Sequence, residues 1–97
     1  MLHGRLGAQP GRRDELLAIL EEADQAETLA GCRLYLVAVD ETDPDGIWVT
    51  EVWDSEEAHA ASLRLETVSR QIARARPLLD FSGFTQQRLT ARAGVPH

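Results

Sequence analysis

The chain alternates hydrophobic and polar residues with a period of two at its start and then changes to a helical period. Residues 2–9 alternate in this way until Pro10 and Gly11 interrupt them, which predicts a first strand. Residues 12–29 predict a helix, because apolar side chains recur there at spacings of three, four and seven. The apolar positions are Leu16, Leu17, Leu20 and Ala23. We expect Gly31 to stop this helix.

The second half of the chain predicts a hairpin, a long helix and a last strand. Residues 32–40 are a nearly continuous β-prone run, so both faces of this strand look buried. A Pro-Asp-Gly turn then leads into a strand over residues 47–53, because proline and glycine favour the dihedral angles of a tight turn. A helix is expected over residues 55–76, with Ser55 as its N-cap, a bend near Glu66 and Thr67, and Pro77 as its end. Residues 81–89 predict the fourth strand, and residues 90–97 predict a loose tail.

This order of elements predicts one α+β domain. Strand, helix, strand, strand, helix, strand is the ferredoxin-like βαββαβ arrangement, an antiparallel sheet with two helices on one face. A chain of 97 residues has room for one domain, expected to span residues 1–97 with its core over 2–88. The apolar character of both faces of residues 32–39 indicates that the bare face of the sheet is covered. We therefore expect a homodimer that pairs through this face.

Charge and cysteine content exclude several classes of protein. Sixteen acidic residues outnumber ten arginines, lysine is absent, and the net charge is -6, so nucleic acid and anionic lipid are not expected partners. No apolar run is long enough to span a membrane, and the N-terminus lacks the apolar core of an export signal. The single cysteine, Cys32, excludes an internal disulfide, and we expect a cytoplasmic protein.

Three residues near the end of the third strand carry candidate chemistry. His59 lies at the edge of the second helix, three residues from Ser62, and either faces a cavity as a proton acceptor or faces solvent. Trp53 either lines that cavity or packs in the core. Glu51 shares the strand face of Trp53 and needs a partner, either in an arginine ion pair or as a catalytic acid. Tyr35, an aromatic residue of the buried second strand, is a weaker candidate for lining the same cavity. The candidate arginines are Arg33, Arg64, Arg70 and Arg74. The three histidines are too scattered for a metal site.

Three blocks of sequence resemble the antibiotic biosynthesis monooxygenase family over residues 2–88. Residues 9–17 are similar to the exit of its first strand, and residues 30–35 are similar to its Gly-Cys-x-x-Tyr entry into the second strand. Residues 49–58 resemble its most specific block, Glu-x-Trp-x-Ser-x-x-Ala. The resemblance implies ferredoxin-like subunits paired sheet to sheet in a dimeric α+β barrel, with an apolar cavity between sheet and helices.

The resemblance also implies an activity. Characterised members oxidise quinols or polycyclic phenols with dioxygen and use no metal, flavin or haem, since an ionised electron-rich ring itself reduces dioxygen. By this resemblance His59 is the catalytic base, and the substrate-binding residues are Trp53, Val49, Glu51 and Ser62. The chain differs at two of these positions, because many members have histidine at Ser62 and some have asparagine at Val49. The implied partners are a small aromatic substrate, dioxygen and a second copy of the chain.

Two other functions stay open at this stage. A dimer of the same fold could be a non-catalytic ligand-binding protein or scaffold, because fold does not fix function. A small-metabolite isomerase is the other alternative, and it requires anion-binding arginines inside the cavity. The directions of Arg33, Arg64 and Arg70 decide that question.

Overall fold

The computed structural model describes residues 1–22 and 29–94 and confirms the ferredoxin-like α+β fold. The elements, in chain order, are β1 (Leu2–Ala8), α1 (Arg13–Leu20), β2 (Cys32–Val39), β3 (Gly46–Trp53), α2 (Glu56–Leu63), α3 (Glu66–Ala75), a 3-10 turn (Arg76–Leu78) and β4 (Leu79–Arg88). The four strands among the described residues form one sheet in the order β2-β3-β1-β4, with every neighbouring pair antiparallel. The two central strands are therefore β1 and β3.

The helices are shorter than the pattern predicts. The first predicted helix, over residues 12–29, ends at Leu20, and its remaining positions from 23 to 28 lie outside the described residues. The second, over residues 55–76, is divided at Arg64 and Leu65, just before the predicted bend. At the division, Leu65 has an extended backbone with ψ of 137° and is the N-cap of α3. Pro77 lies within the 3-10 turn that follows α3.

The core lies between the helices and one face of the sheet. Ile47 on β3 and Leu16 on α1 are fully buried there, and the period of two along β3 places Val49, Glu51 and Trp53 on this same helix-facing side. The other buried residues of the core cluster are Ala8, Ile19, Ala75 and Leu78. The strand therefore carries apolar side chains at its start and a polar and an aromatic one near its end.

The other face of the sheet is lined by Trp48, His3 and the outward residues of β2. The His3 and Trp48 rings stack with centroids 5.3 Å apart, and Trp48 Nε1 donates a hydrogen bond to Asp40 Oδ2 at 3.0 Å. Leu36, on the same face, is 53% exposed. The expectation that both faces of β2 are buried is therefore not met within one subunit. No helix among the described residues is long and apolar enough to cross a bilayer.

Candidate functional site

Three predicted site residues meet where β3 leads into α2. Glu51 and Trp53 are two residues apart on β3 and so share the helix-facing side of the sheet. Ser55 then caps α2, because its side chain accepts a hydrogen bond from the Ala58 backbone N–H at 3.1 Å. This cap fixes the start of the helix and places His59 next to the end of the strand.

The three side chains contact one another through one carboxylate oxygen and one ring face. Trp53 Nε1 donates a hydrogen bond to Glu51 Oε1 at 3.1 Å. His59 Nε2 lies 3.9 Å from the same oxygen, and the imidazole and indole centroids are 5.2 Å apart with the rings tilted by 56°. The His59 side chain is 24% exposed and that of Glu51 is 15% exposed. The His59 side chain is therefore partly buried against Trp53 and Glu51.

An open cleft of about 590 Å³ gives His59 and Trp53 access to a ligand. Its walls are formed by the chain start, the end of β3, the first turns of α2 and the residues after β4. Two ion pairs stand at this cleft, one between Arg33 and Asp54 and one between Arg88 and Glu56, whose Nη1 and Oε1 are 2.9 Å apart. Because each arginine is paired with a carboxylate, the charges along the rim largely cancel.

A second, smaller cavity, the inner cavity, lies against the helix-facing side of the sheet. It has a volume of about 90 Å³ and is lined by Leu2, Tyr35, Val49, Glu51 and Phe84, among others. An apolar cavity of roughly 150 Å³ is known to admit benzene, so this space is too small for several fused rings. Burial, together with the nearby Glu51 carboxylate, raises the pKa of Tyr35 to about 12, so its phenol stays neutral at ordinary pH. A flat multi-ring ligand therefore fits the outer cleft rather than this cavity.

The predicted ligand-binding residues do not all line the same space. Val49 is buried and lines the inner cavity together with Glu51, whereas Trp53 lines the outer cleft. Ser62 is 5% exposed, and its Oγ donates a hydrogen bond to the His59 carbonyl oxygen at 2.6 Å. The Ser62 hydroxyl thus serves the helix backbone. Leu2, which lines both spaces, was not predicted as a site residue, although its place in the alternation of β1 would have put it on this face.

The expected arginine partner of Glu51 is replaced by Trp53 and His59. Three of the four arginines considered for that role pair with other carboxylates, namely Arg33 with Asp54, Arg70 with Glu66 and Arg74 with Glu22. The fourth, Arg64, is exposed at the C-cap of α2. The sequence offers several arginines as partners of Glu51, and the tertiary structure decides which side chains contact it. Among residues 1–22 and 29–94, no three histidine, cysteine or acidic side chains are grouped as metal ligands would be.

Fold and site together define a small ferredoxin-like protein that carries an imidazole, a carboxylate and an indole at the end of a central strand. The sequence model of the antibiotic biosynthesis monooxygenases matches residues 1–74, and the chain belongs to this family. The resemblance noted in the sequence is thereby confirmed.

Solved structures of similar proteins agree with this assignment. A candidate antibiotic biosynthesis monooxygenase from Chloroflexus aurantiacus J-10-fl is 44% identical, with 97% of this chain and 95% of that chain covered and a TM-score of 0.79. Another from Deinococcus radiodurans is 26% identical over 99% and 97% of the two chains, with a TM-score of 0.73. A variant of SnoaB, a cofactor-independent oxygenase from Streptomyces nogalater, is 15% identical over 99% and 95%, with a TM-score of 0.78, and shares the fold. No functionally curated protein matches the chain.

Proposed function

We propose that this protein is a cofactor-independent monooxygenase that oxidises a quinol or a phenolic polyketide-like aromatic with dioxygen. Membership of the family supports an oxygenase, and SnoaB, of the same fold, is described as a cofactor-independent oxygenase. The observation that carries the proposal is the position of His59. Its imidazole lies between the Glu51 carboxylate and the Trp53 indole at the wall of an open cleft.

The side chains suit the removal of a phenolic proton. The His59 imidazole accepts that proton, because histidine is the commonest general base and His59 lies at the wall of the cleft. Trp53 offers an aromatic surface for the flat ring of the substrate. The inner cavity, with Val49, extends the apolar wall of the site. Exclusion of water by the bound ligand protects the reactive oxygen adduct from side reactions.

The reaction balances without an external reductant. In an anthrone-type substrate, the ionised ring gives an electron to dioxygen, and the resulting radicals combine at the reactive carbon as a peroxide. The O–O bond then breaks, so that one oxygen becomes the new carbonyl and the other leaves as water with two hydrogens of the substrate. All four electrons that reduce dioxygen come from the substrate carbon.

Dioxygen consumption with a panel of anthrones and quinols tests the activity. We expect uptake above the spontaneous rate, and a fall of about a hundredfold or more in His59→Ala, the size typical of a lost general base. His3→Ala is the matched control, because His3 packs against Trp48 on the opposite face of the sheet and should leave the rate unchanged. An unchanged rate in His59→Ala would show that His59 is not the base. Tight binding of aromatics without any uptake across the panel would favour the non-catalytic ligand-binding alternative.

The isomerase alternative receives less support. It needs arginines free to bind an anion inside the cavity, whereas Arg33 and Arg88 at the cleft each pair with a carboxylate and Arg70 pairs with Glu66 on the surface. Arg64 is exposed at the C-cap of α2 and is not in the described lining of either space. The described lining of the inner cavity includes no arginine. These contacts favour a neutral ligand.

The proposal includes a cytoplasmic homodimer of single-domain subunits. The outer face of β2 leaves Leu36 53% exposed, and an apolar sheet face of this kind is buried most simply by a second copy. Sedimentation should give twice the subunit mass of 10.7 kDa, and Leu36→Glu should lower it toward the monomer. Leu63→Glu is the control, since Leu63 is 49% exposed on α2, away from this face. A wild-type protein that sediments as a monomer would contradict the dimer.

A further inference from the structure

The carboxylate of Glu51 is the charged group that faces His59 without an arginine of its own among the described residues. Four charged side chains line the outer cleft beside His59, and they form two pairs, Arg33 with Asp54 and Arg88 with Glu56. Glu51, from β3, contacts the Trp53 indole and the His59 imidazole and lies near the buried Tyr35 phenol. Its negative charge is therefore available to His59.

The geometry distinguishes the two nitrogens of the His59 ring. Nε2 is the nitrogen that lies 3.9 Å from Glu51 Oε1, which leaves Nδ1 as the nitrogen directed away from the carboxylate. The separation exceeds a hydrogen bond, but hydrogen bonds of catalytic groups are often long before substrate binds and shorten in the complex. A proton taken up at Nδ1 creates an imidazolium whose Nε2–H then donates to Oε1 as a charge-assisted hydrogen bond.

We propose that Glu51 is a positioning residue for His59. Its carboxylate orients the imidazole through Nε2 and stabilises the imidazolium that forms when Nδ1 accepts the substrate proton. Trp53 holds the carboxylate in place, because its Nε1–H donates to the same Oε1. The inference deepens the proposed function and rests on it for its kinetic consequences. It also differs from a substrate-binding role for Glu51, in which the carboxylate itself would contact the aromatic ligand.

Glu51→Gln separates charge from packing. Glutamine has nearly the same shape, and its side-chain oxygen still accepts from the indole, so the contact with Trp53 is kept while the charge is lost. Glu41→Gln is the matched control, because Glu41 is exposed in the loop before β3, at the end of the strand away from Glu51. Both variants remove one negative charge from the whole protein.

Nuclear magnetic resonance of the His59 ring nitrogens tests the inference without any need for activity. The His59 ring signals are assigned by their loss in His59→Ala. We expect Glu51→Gln to shift the Nε2 signal more than the Nδ1 signal, since the charge that faces Nε2 is lost. Glu41→Gln should leave both signals unchanged. Unchanged ring signals in Glu51→Gln, or an equal change in both variants, would overturn the proposal.

Steady-state kinetics distinguishes positioning from substrate binding. If Glu51 acts through His59, Glu51→Gln lowers kcat and leaves KM nearly constant, because an interaction that forms only in the transition state is lost. If Glu51 binds the substrate instead, KM rises and kcat changes little, which contradicts the proposal. Should no substrate be oxidised, the proposed function fails while the ring-nitrogen signals still decide the pairing of Glu51 with His59.

Discussion

Replacement of Gly31 by alanine tests how closely the loop before β2 approaches the helix that carries His59. Gly31 has φ of +82°, a left-handed conformation that costs a residue with a Cβ about 1 to 2 kcal/mol. A Cβ at this position would also lie 2.6 Å from the Ala58 Cβ, far inside the ordinary carbon contact of roughly 3.5 to 4 Å. The loop cannot retreat freely, because the Gly31 carbonyl accepts a hydrogen bond from the Asp54 N–H at 2.7 Å.

The backbone conformation and the close Cβ contact both lower the stability of Gly31→Ala, and the two effects can be measured separately. Overpacking of this kind typically costs about 1 to 3 kcal/mol, so Gly31→Ala should lower the free energy of unfolding by about 2 to 5 kcal/mol. Gly11→Ala is the control for the backbone alone, because Gly11 has φ of +76° and nothing lies within 4 Å of an added Cβ. It should lose only about 1 to 2 kcal/mol.

Urea unfolding of four proteins completes the test. The wild type, Gly31→Ala, Ala58→Gly and the double variant form a double-mutant cycle in which Ala58→Gly removes the methyl group that the new Cβ would meet. We expect the double variant to be more stable than the sum of the two single effects by about 1 kcal/mol or more. Equal losses in Gly31→Ala and Gly11→Ala, together with strict additivity in the cycle, would refute the close approach of loop and helix.

Two further predictions concern the residues around the site. Tyr35 is the single tyrosine, so ultraviolet titration reads it alone, and tyrosinate should form near pH 12 rather than near the ordinary value of 10. The folded protein holds the Tyr35 proton more tightly than the unfolded chain does. The contribution of Tyr35 to the free energy of unfolding is therefore complete below pH 10 and is lost as the pH rises toward 12. Ionisation at the ordinary value would contradict the burial of Tyr35. Ser55→Ala should destabilise the protein by about 1 kcal/mol in urea unfolding, because the N-cap of α2 loses its acceptor, and Ser55→Asp should restore most of the loss. A stability unchanged by Ser55→Ala would show that the cap does not hold α2.

The strands were predictable because their signal is local. The period of two along β3 is enough to place Trp48 and Trp53 on opposite faces and Glu51 beside Trp53, and the structure has all three in these positions. Each strand was predicted to within two residues of its observed start and end. The ferredoxin-like topology follows from the order of these elements, since few arrangements of such a sheet are available to a chain this short.

The exact position of the helix division and the partners of Glu51 were not predictable from local signals, although a bend is expected near Glu66 and Thr67. Leucine is a good helix former, so nothing in the sequence marks Leu65 as the residue at which the chain leaves the helix. The partner of a carboxylate on β3 depends on which side chains the folded chain brings near it. Arg88 and Glu56 illustrate the same limit, because they pair across 32 positions of sequence.

The site depends on the short connection between β3 and α2 more than on any single side chain. Glu51 and Trp53 belong to a strand held by pairing on both sides, whereas His59 belongs to a short helix whose position is set by the Ser55 cap and by Ala58 against Gly31. A rotation of α2 by one residue, about 100°, would take the imidazole away from Glu51 while leaving the strand unchanged. The contact between His59 and Glu51 therefore depends on where the helix begins, and the variants at Ser55 and Gly31 should change the ring signals of His59 as well as stability.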